Sequence, residues 1–272
     1  MDLSWDSAIM RYLRAAIIII IVIFVLFIEP YNLQVTENSF DLFDGNNAIQ
    51  VVFIADTQDA YHHPEYFERV IEAVNAREPD LILLGGDNVE IADEWNRTDQ
   101  LGNLKSKYGI YAVLGNHDYI SWDCKNCSDK VESKLESMGI KVLRNEYEIL
   151  NISGREFALI GVDDLQAGRS NYRLASRDVP DNMSKIILAH NQYSVTRHDL
   201  EGKNLVLSGH THCGLVQIPY VTDFILQSSN FADVIGGRAT IDENSELYVT
   251  CGITPGGVRL FTRPEISVIY VN

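Results

Sequence analysis

Five short apolar runs, each followed at once by acidic, amide or imidazole side chains, do most to limit the folds open to this 272-residue chain. Short apolar runs that alternate with helical stretches are typical of strands buried in an α/β domain. Because ligands of open α/β sheets gather at the carboxyl ends of the strands, we expect the polar clusters to meet at one edge. The runs and their clusters are Val51–Ala55 with Asp56-Thr57-Gln58, Leu81–Leu84 with Gly85-Gly86-Asp87-Asn88, Tyr111–Leu114 with Gly115-Asn116-His117-Asp118, Ile186–Ala189 with His190-Asn191, and Leu205–Leu207 with Ser208-Gly209-His210-Thr211-His212.

The order of these clusters resembles that of the calcineurin-like metallophosphoesterases, in which Asp-x-His is followed by Gly-Asp, Gly-Asn-His-Asp/Glu, a lone His and Gly-His-x-His. The resemblance covers roughly Ile49 to the C-terminus, where Cys251–Thr254 and Arg259–Ile266 are similar to the closing strands of the membrane-associated bacterial and archaeal branch. It implies an α/β fold, a four-layer α/β/β/α sandwich. It also implies two divalent metal ions that share Asp87, one held by Asp56, Gln58, Asp87 and His212 and the other by Asp87, Asn116, His190 and His210.

The function that this resemblance implies is hydrolysis of a phosphodiester or pyrophosphate by a binuclear metal centre and a metal-activated hydroxide. Two cations about 3.5 to 4 Å apart clamp the attacking and leaving oxygens and ionise a water near neutral pH. A bridging carboxylate such as Asp87 offsets their mutual repulsion. His117 follows the ligand Asn116, so we expect it to stabilise the transition state or protonate the leaving oxygen, with Asp118 holding its tautomer.

Gln58 departs from the family pattern, because it stands where the family has the histidine of Asp-x-His. An amide offers a metal only its oxygen, so the first site becomes richer in oxygen ligands. Hard oxygen ligands favour Mn²⁺ or Mg²⁺ over Zn²⁺. The cofactor prediction is therefore two divalent ions, Mn²⁺ first, with Mg²⁺, Fe and Zn²⁺ as alternatives.

Two other functions stay open for the same residue. An Asp-x-Gln start is also found in the manganese-dependent ADP-ribose/CDP-alcohol diphosphatases of the superfamily, so Asp56-Thr57-Gln58 is compatible with a nucleoside-diphosphate-linked pyrophosphatase. If Gln58 instead abolishes the first site, the chain is a one-metal protein or a non-catalytic scaffold of the same fold that binds a partner.

The N-terminal thirty residues contain an apolar run that predicts a transmembrane helix. Ala15–Ile28 is unbroken, and Ile9–Ile28 reaches the length of about 20 residues that a span requires if Arg11 and Arg14 extend their heads to the interface. A cleavable signal peptide is the alternative, but residues 29–32 offer no small-x-small cleavage site. We therefore expect residues 1–30 to form a cytoplasmic stub and an anchor.

Charges on either side of this run predict its orientation in the membrane. Arg11 and Arg14 precede the run, and acidic residues follow it, so the positive-inside rule places the N-terminus in the cytoplasm. The catalytic domain is then extracytoplasmic on a single-pass membrane protein. Residues 31–48 lack sustained periodicity and are predicted to be a linker, with the catalytic domain at 49–272.

The net charge argues against one class of binding partner, and the cysteines leave three chemical states open. A net charge of -16 argues against nucleic-acid binding, since phosphate backbones are held by Lys and Arg. The expected partners are the membrane and a phosphate ester that is lipid- or nucleotide-linked. Cys124 and Cys127 are compatible with a small disulfide, a redox site or two unpaired thiols.

Five further residues lie next to predicted ligands or strand ends. The pair Asp163-Asp164 is interpreted as a solvated turn, and Cys213 as packing behind His212. Tyr119 and Asn191 flank ligands and are candidates to orient the substrate.

Overall fold

The computed structural model describes residues 3–43, 48–121, 126–218 and 234–272. Helix α1 continues through a π-helical turn, Phe24–Ile28, into a short 3-10 turn, Glu29–Tyr31. The span Ile9–Tyr31, 23 residues, is long and apolar enough to cross a membrane. In lipid the backbone must satisfy its own hydrogen bonds, so a run of isoleucines is helical there. The helices are α1 Leu3–Ile23, α2 Pro64–Asn75, α3 Cys127–Ser137 and α4 Tyr172–Ser176.

The strands of the described chain form two six-stranded sheets. Sheet A has the order β1-β12-β2-β3-β4-β5, and sheet B has the order β10-β11-β9-β8-β7-β6. Neighbouring strands from β2 to β5 are parallel, as are β7, β8, β9 and β11. The strands are β1 Gln34–Phe40, β2 Ile49–Ile54, β3 Leu81–Leu84, β4 Ile110–Ala112, β5 Ile140–Val142, β6 Glu146–Ile152, β7 Arg155–Val162, β8 Lys185–Ala189, β9 Asn204–Ser208, β10 Gly237–Asp242, β11 Ser245–Val249 and β12 Glu265–Val271.

Side-chain alternation along the strands stacks these sheets into layers. In β2, Val52 and Ile54 face the cluster that contains α2 and α3, whereas Val51 and Phe53 face sheet B. A third cluster, which includes Tyr172 of α4, covers the outer face of sheet B. The predicted α/β/β/α sandwich is confirmed, with a thin outer layer on sheet B.

Two sequence-based assignments of the chain are corrected. Residues 34–40 are not linker, because β1 pairs in parallel with β12 at the edge of sheet A; of the predicted linker, residues 44–47 lie outside the described part. Val258–Phe261, which the apolar pattern predicts as a strand, forms only an isolated bridge between Leu260 and Val216. Its apolar side chains Val258 and Phe261 are exposed rather than packed in a sheet.

Candidate metal centre

The predicted ligands lie on loops that leave both sheets at the carboxyl ends of parallel strands. Asp56 and Gln58 follow β2, Asp87 follows β3, and Asn116 follows β4, all in sheet A. His190 follows β8, and His210 and His212 follow β9, both in sheet B. The edges of the two sheets thus bring acids and amides from one side towards imidazoles from the other.

The tightest cluster joins one carboxylate to two imidazoles. Asp87 Oδ2 lies 3.2 Å from His190 Nε2, and His190 Nε2 lies 3.1 Å from His210 Nδ1. Donor atoms of all three residues fall within 4.8 Å of one another. His190 Nδ1 is 2.9 Å from the carbonyl oxygen of Gly85, so this nitrogen carries the hydrogen and Nε2 presents its lone pair to the cluster. Such an arrangement is suited to a divalent cation.

A second group of predicted ligands surrounds Asp56, which is fully buried. Asp56 Oδ1 lies 3.7 Å from His212 Nε2, and the carboxylate accepts a hydrogen bond from the backbone N–H of His210. The backbone N–H of Gln58 donates to the carbonyl of Asp87, which ties the first ligand loop to the second. The loops that carry the two groups are therefore adjacent.

Two buried amide oxygens test whether this donor set fits metal ions. Gln58 Oε1 and Asn116 Oδ1 are buried and have no hydrogen-bond partner among the described residues. A buried polar atom is nearly always paired, so an unpaired one calls for a water, an ion or a functional explanation. Both atoms belong to predicted ligands, Gln58 of one metal ion and Asn116 of the other. The residues therefore fit divalent cations that are bound through oxygen.

Backbone geometry at the ligands is costly, as expected of a functional site. Asp56, Asp87, His210 and His212 have φ values of 56°, 50°, 71° and 49°, in the left-handed region. Such conformations of non-glycine residues cost about 1 to 3 kcal/mol each and persist where the surroundings enforce them. Gly115 permits the close approach, since a Cβ there would lie 2.2 Å from Asp87 Oδ1.

Electrostatics in the cluster favour a positive charge beside Asp87. Burial lowers the pKa of His190, but the Asp87 carboxylate outweighs burial and raises that pKa to about 10. Burial likewise opposes ionisation of Asp87, yet the imidazole of His190 holds the pKa of Asp87 below its usual value. A divalent cation would be stabilised by the same carboxylate, and its binding would require His190 to be neutral.

His117 and Asp118 are organised differently from the sequence prediction. His117 Nδ1 lies 2.6 Å from the carbonyl oxygen of Glu90, so Glu90 and not Asp118 fixes the tautomer and leaves Nε2 free. The fully buried Asp118 instead accepts hydrogen bonds from the backbones of Asn88, Val89 and Gly115. Burial and the nearby Asp87 raise the pKa of Asp118 to about 7. Asp118 is thus a brace between two ligand loops rather than the partner of His117.

Three polar residues near the metal cluster were missed or misread in the sequence. Asp163-Asp164 is not a solvated turn, because both carboxylates are buried, and one oxygen of Asp164 has no hydrogen-bond partner within the protein. Gln166 Nε2 lies 2.7 Å from His210 Nε2 and so braces a predicted ligand. The signal for Asp163-Asp164 was present, since the pair directly follows β7 at the same sheet edge.

Tyr119 and Asn191, the two candidates for orienting substrate, have structural partners. Tyr119 donates from its hydroxyl to Asp163, and the guanidinium of Arg144 contacts the same hydroxyl. Asn191 accepts a hydrogen bond from the backbone N–H of Tyr193 and caps a short helical turn, Gln192–Ser194. Their described contacts are those of loop-stabilising residues.

Cys213 is neither a ligand nor simple packing, because it forms a disulfide with Cys251. The bond joins the loop of His212 to the segment after β11. In that segment, a Cβ on Gly252 would lie 2.5 Å from Asp56 Oδ2. The backbone N–H of Cys251 donates to Glu265 in β12. Cys124 lies outside the described residues, so its pairing with Cys127 stays a prediction.

Comparison with known proteins identifies the family of the chain. Residues 49–214 match the sequence profile of the calcineurin-like phosphoesterase family. The chain is 31% identical to the phosphodiesterase YaeI of Escherichia coli over 247 residues, 89% of each protein. It is 26% identical to the uncharacterized metallophosphoesterase YkuE of Bacillus subtilis, over 89% of this chain and 86% of that protein. It is also 31% identical to a transmembrane protein with metallophosphoesterase domain from Bos taurus, over 74% of this chain but 48% of that protein.

The matched segment extends over more than half of the chain and contains every predicted ligand, from Asp56 to His212. The family implies divalent metal ions, and the cluster of Asp87, His190 and His210 supplies candidate ligands for them. The chain therefore belongs to the calcineurin-like phosphoesterase family and is a hydrolase of phosphoric esters.

Proposed function

We propose that the protein hydrolyses a phosphodiester or pyrophosphate with two divalent cations, Mn²⁺ being the expected metal. The observation that carries this proposal is the pair of unpaired amide oxygens, Gln58 Oε1 and Asn116 Oδ1, buried at the carboxyl edge of sheet A. One cation would be held by Asp56, Gln58, Asp87 and His212. The other would be held by Asp87, Asn116, His190 and His210.

When bound, a pair of divalent cations supplies Lewis acidity that polarises the phosphoryl oxygens and favours ionisation of a nucleophilic water. The protein supplies the geometry. The backbone N–H of His117 donates to Asp87 Oδ1 at 2.9 Å, so the imidazole is placed relative to the shared carboxylate. With Nδ1 bonded to Glu90, Nε2 of His117 is the atom that would stabilise phosphoryl charge or protonate the leaving oxygen.

Asp118 acts in this proposal as a positioning residue. Its two oxygens accept four hydrogen bonds, from the backbone N–H groups of Asn88, Val89 and Gly115 and from the Asn88 side chain. These contacts hold the loop after β3 against the loop after β4. The bridging Asp87 and the ligand Asn116 lie on those two loops, so Asp118 sets their spacing without touching the substrate.

The protein is proposed to be a single-pass membrane protein with its domain outside the cytoplasm. Arg11 and Arg14 precede the apolar span, as expected for a cytoplasmic N-terminus. The Cys213–Cys251 disulfide supports the same orientation, because disulfides persist in oxidising compartments and are rare in the cytosol. Protease treatment of intact cells should degrade the domain; full protection would contradict the outward orientation.

The test of the activity is hydrolysis of bis-p-nitrophenyl phosphate with Mn²⁺ by the full chain. Asp87→Ala removes the shared ligand and should lower kcat by at least about 10³-fold, with loss of bound metal. His117→Ala should lower kcat by about 10² to 10⁴-fold while metal stays bound. Asp178→Asn, at an exposed surface carboxylate, is the matched control and should behave as the parent. Equal rates in all four proteins would exclude this mechanism.

A nucleoside-diphosphate-linked pyrophosphatase is the second candidate, favoured by Gln58. A panel of phosphomonoesters, phosphodiesters and nucleoside diphosphate esters under Mn²⁺ separates it from the diesterase. Faster hydrolysis of the diphosphates than of every diester would favour the pyrophosphatase. Metal binding without hydrolysis of any of them would favour the non-catalytic scaffold.

A further inference from the structure

The end of the transmembrane helix is fastened to the domain, and not connected by a flexible linker. The backbone N–H of Arg259 donates to the carbonyl of Val25 at 3.2 Å, inside the π-helical turn. The buried Glu29 accepts a hydrogen bond from the backbone N–H of Thr262. Arg263 donates from its guanidinium to the backbone carbonyl and side chain of Asn32. The loop of residues 256–263 therefore has a defined height relative to the membrane.

The loop of residues 256–263 lies at the level of the membrane surface. Val25 precedes the last apolar residue of the run, Ile28, by three positions, which is about 4.5 Å along a helix at 1.5 Å per residue. The backbone of Arg259 is level with Val25, so it lies below the end of the apolar run. Its guanidinium is directed inward, to the carbonyls of Cys251, Thr254 and Thr262, and brings no charge to the lipid side.

Exposed apolar side chains lie beside the hydrogen bond that joins Arg259 to Val25. Phe261 and Val258 are 59% and 44% exposed, beside the backbone that meets the anchor. Residues 215–218 join them, because Leu260 N donates to Leu215 O and Gln217 N donates to Leu260 O, at 2.9 and 2.8 Å. We call the exposed side chains of the two segments the apolar rim, which consists of Leu215, Val216, Ile218, Val258 and Phe261.

A contiguous group of exposed apolar side chains marks a contact with a partner protein or a membrane. The position of the apolar rim favours a membrane over a partner protein. Arg259 lies between Val258 and Leu260 in the sequence, and its backbone N–H is hydrogen-bonded to the anchor. Arg263, at the level of Asn32 just after the span, adds a cation where anionic headgroups lie. The chemistry of the surroundings is thus that of a lipid interface.

The apolar rim is continuous with the candidate metal centre. Leu215 N donates to His212 O, and Leu215 O accepts the hydroxyl of Thr262. Leu215 is three positions after His212, so their Cα atoms are at most about 10 Å apart. A headgroup layer is itself about 5 to 8 Å deep on each side of the hydrocarbon. The metal centre is therefore within reach of phosphates in that layer.

We propose that the apolar rim is immersed in the leaflet that receives the C-terminal end of the anchor, and that the substrate is the phosphoester of a lipid in that leaflet. This inference rests on the proposed hydrolytic function. The lipid's chains stay in the bilayer while its phosphate reaches the metal centre. Water adds its oxygen to phosphorus, one P–O bond breaks, and the departing oxygen takes up a proton. The anchor thus delivers the site to its substrate as well as retaining the protein.

Immersion is tested by fluorescence quenching of the full chain in vesicles of phosphatidylethanolamine and phosphatidylglycerol that include brominated lipid. Phe261→Trp should be quenched in excess of the parent protein. Tyr108→Trp is the matched control, because Tyr108 is similarly exposed but precedes β4, at the opposite edge of sheet A. Equal quenching of the two variants would overturn the proposal and favour a protein partner or a second copy at the rim.

Substrate class is tested with the same vesicles, to which an isoprenoid diphosphate is added, by following phosphorus-containing products by NMR. Val258→Asp combined with Phe261→Asp should lower lipid hydrolysis at least about tenfold, since it removes two apolar side chains from lipid. The rate on soluble bis-p-nitrophenyl phosphate should stay unchanged, which also shows that the variant folds. Hydrolysis of the soluble ester with none of the lipids would overturn this inference alone. Failure on the soluble ester by the parent protein would instead overturn the proposed function.

Discussion

The two sheets contribute different chemistry to the candidate metal centre. Every predicted donor from sheet A is an oxygen, and every predicted donor from sheet B is an imidazole nitrogen. In a family whose first loop carries Asp-x-His, sheet A would contribute a nitrogen as well; Gln58 removes it. The oxygen donors belong to Asp56, Gln58, Asp87 and Asn116, and the nitrogen donors belong to His190, His210 and His212.

This division means that each proposed cation is held from both sheets. Beneath the site the sheets are joined by apolar packing, for example of Phe53 and Leu83 from sheet A with Phe157 and Leu188 from sheet B. At the carboxyl edge that packing gives way to contacts such as Asp87 with His190. Metal ions at this edge would therefore join the sheets where the apolar core ends.

Removal of metal should have the largest effect on stability and activity, because the proposed cations would join sheet A to sheet B at the carboxyl edge of the strands. Chelation of the full chain is expected to abolish hydrolysis and to lower its stability. Occupation of both sites, each at a free metal concentration of 100 times Kd, contributes about 2.7 kcal/mol per site and about 5.4 kcal/mol together, which corresponds to a change in Tm of roughly 10 to 20 °C for a domain of this size. The measurement is thermal unfolding as a function of free Mn²⁺.

Asp87→Asn provides the control for this titration, since it removes the shared ligand from sheet A. Its Tm should respond much less to Mn²⁺ than that of the parent. A parent protein whose Tm is the same with Mn²⁺ and with chelator would show that metal ions do not join the sheets.

The Cys213–Cys251 disulfide joins two segments that both leave sheet B, after β9 and after β11, and its loss should have the next largest effect. It closes a segment with a sequence separation of 38 residues, for which loop entropy gives about 3 to 4 kcal/mol of stability. Cys213→Ser with Cys251→Ser should therefore lower the free energy of unfolding by up to that amount. It should also weaken Mn²⁺ binding, because Cys213 follows His212 directly. The measurements are denaturant unfolding and metal titration.

A measurement of kcat separates the positioning of His212 by the disulfide from a general loss of structure in the double variant. At saturating Mn²⁺ the double variant should recover a kcat close to that of the parent, because neither cysteine contacts the reacting atoms. A low kcat at saturating metal, or an unchanged Mn²⁺ affinity, would contradict the positioning role of the disulfide.

The oxygen and nitrogen donors were foreseeable because both follow simple strands. Leu81–Leu84 has the predicted bounds and β8 begins one residue before the predicted run Ile186–Ala189, since buried parallel strands are continuous apolar runs. β1 was not foreseeable in this way, because it is an edge strand with alternating polar and partly exposed residues. Val258–Phe261 has the apolar pattern of a strand but is not part of a sheet. Its apolar side chains are exposed on the surface beside the anchor.

Contacts between distant segments explain what the sequence left unpredicted at the site. Asp118 follows His117 directly, yet its carboxylate points to Asn88 and Gly115, and a carbonyl at Glu90 holds the imidazole. The pairing of Cys213 with Cys251 depends on how the loop after β9 meets the end of β11. Neighbours in sequence predict the ligand set, but only the fold shows which atoms orient these side chains.

The smallest and most specific effect is expected from Gln58→His, which returns a nitrogen donor to the sheet A side. An imidazole in place of the amide should shift the preference of the first site from Mn²⁺ towards Zn²⁺, by about tenfold in the ratio of the two affinities. Gln58→Glu is the matched control, since it keeps an oxygen donor and should retain the preference for Mn²⁺. Competition titrations of the two metals measure the ratio directly. If both variants retain the parent's ratio, Gln58 is not a ligand, and the oxygen-only character of sheet A does not determine the metal.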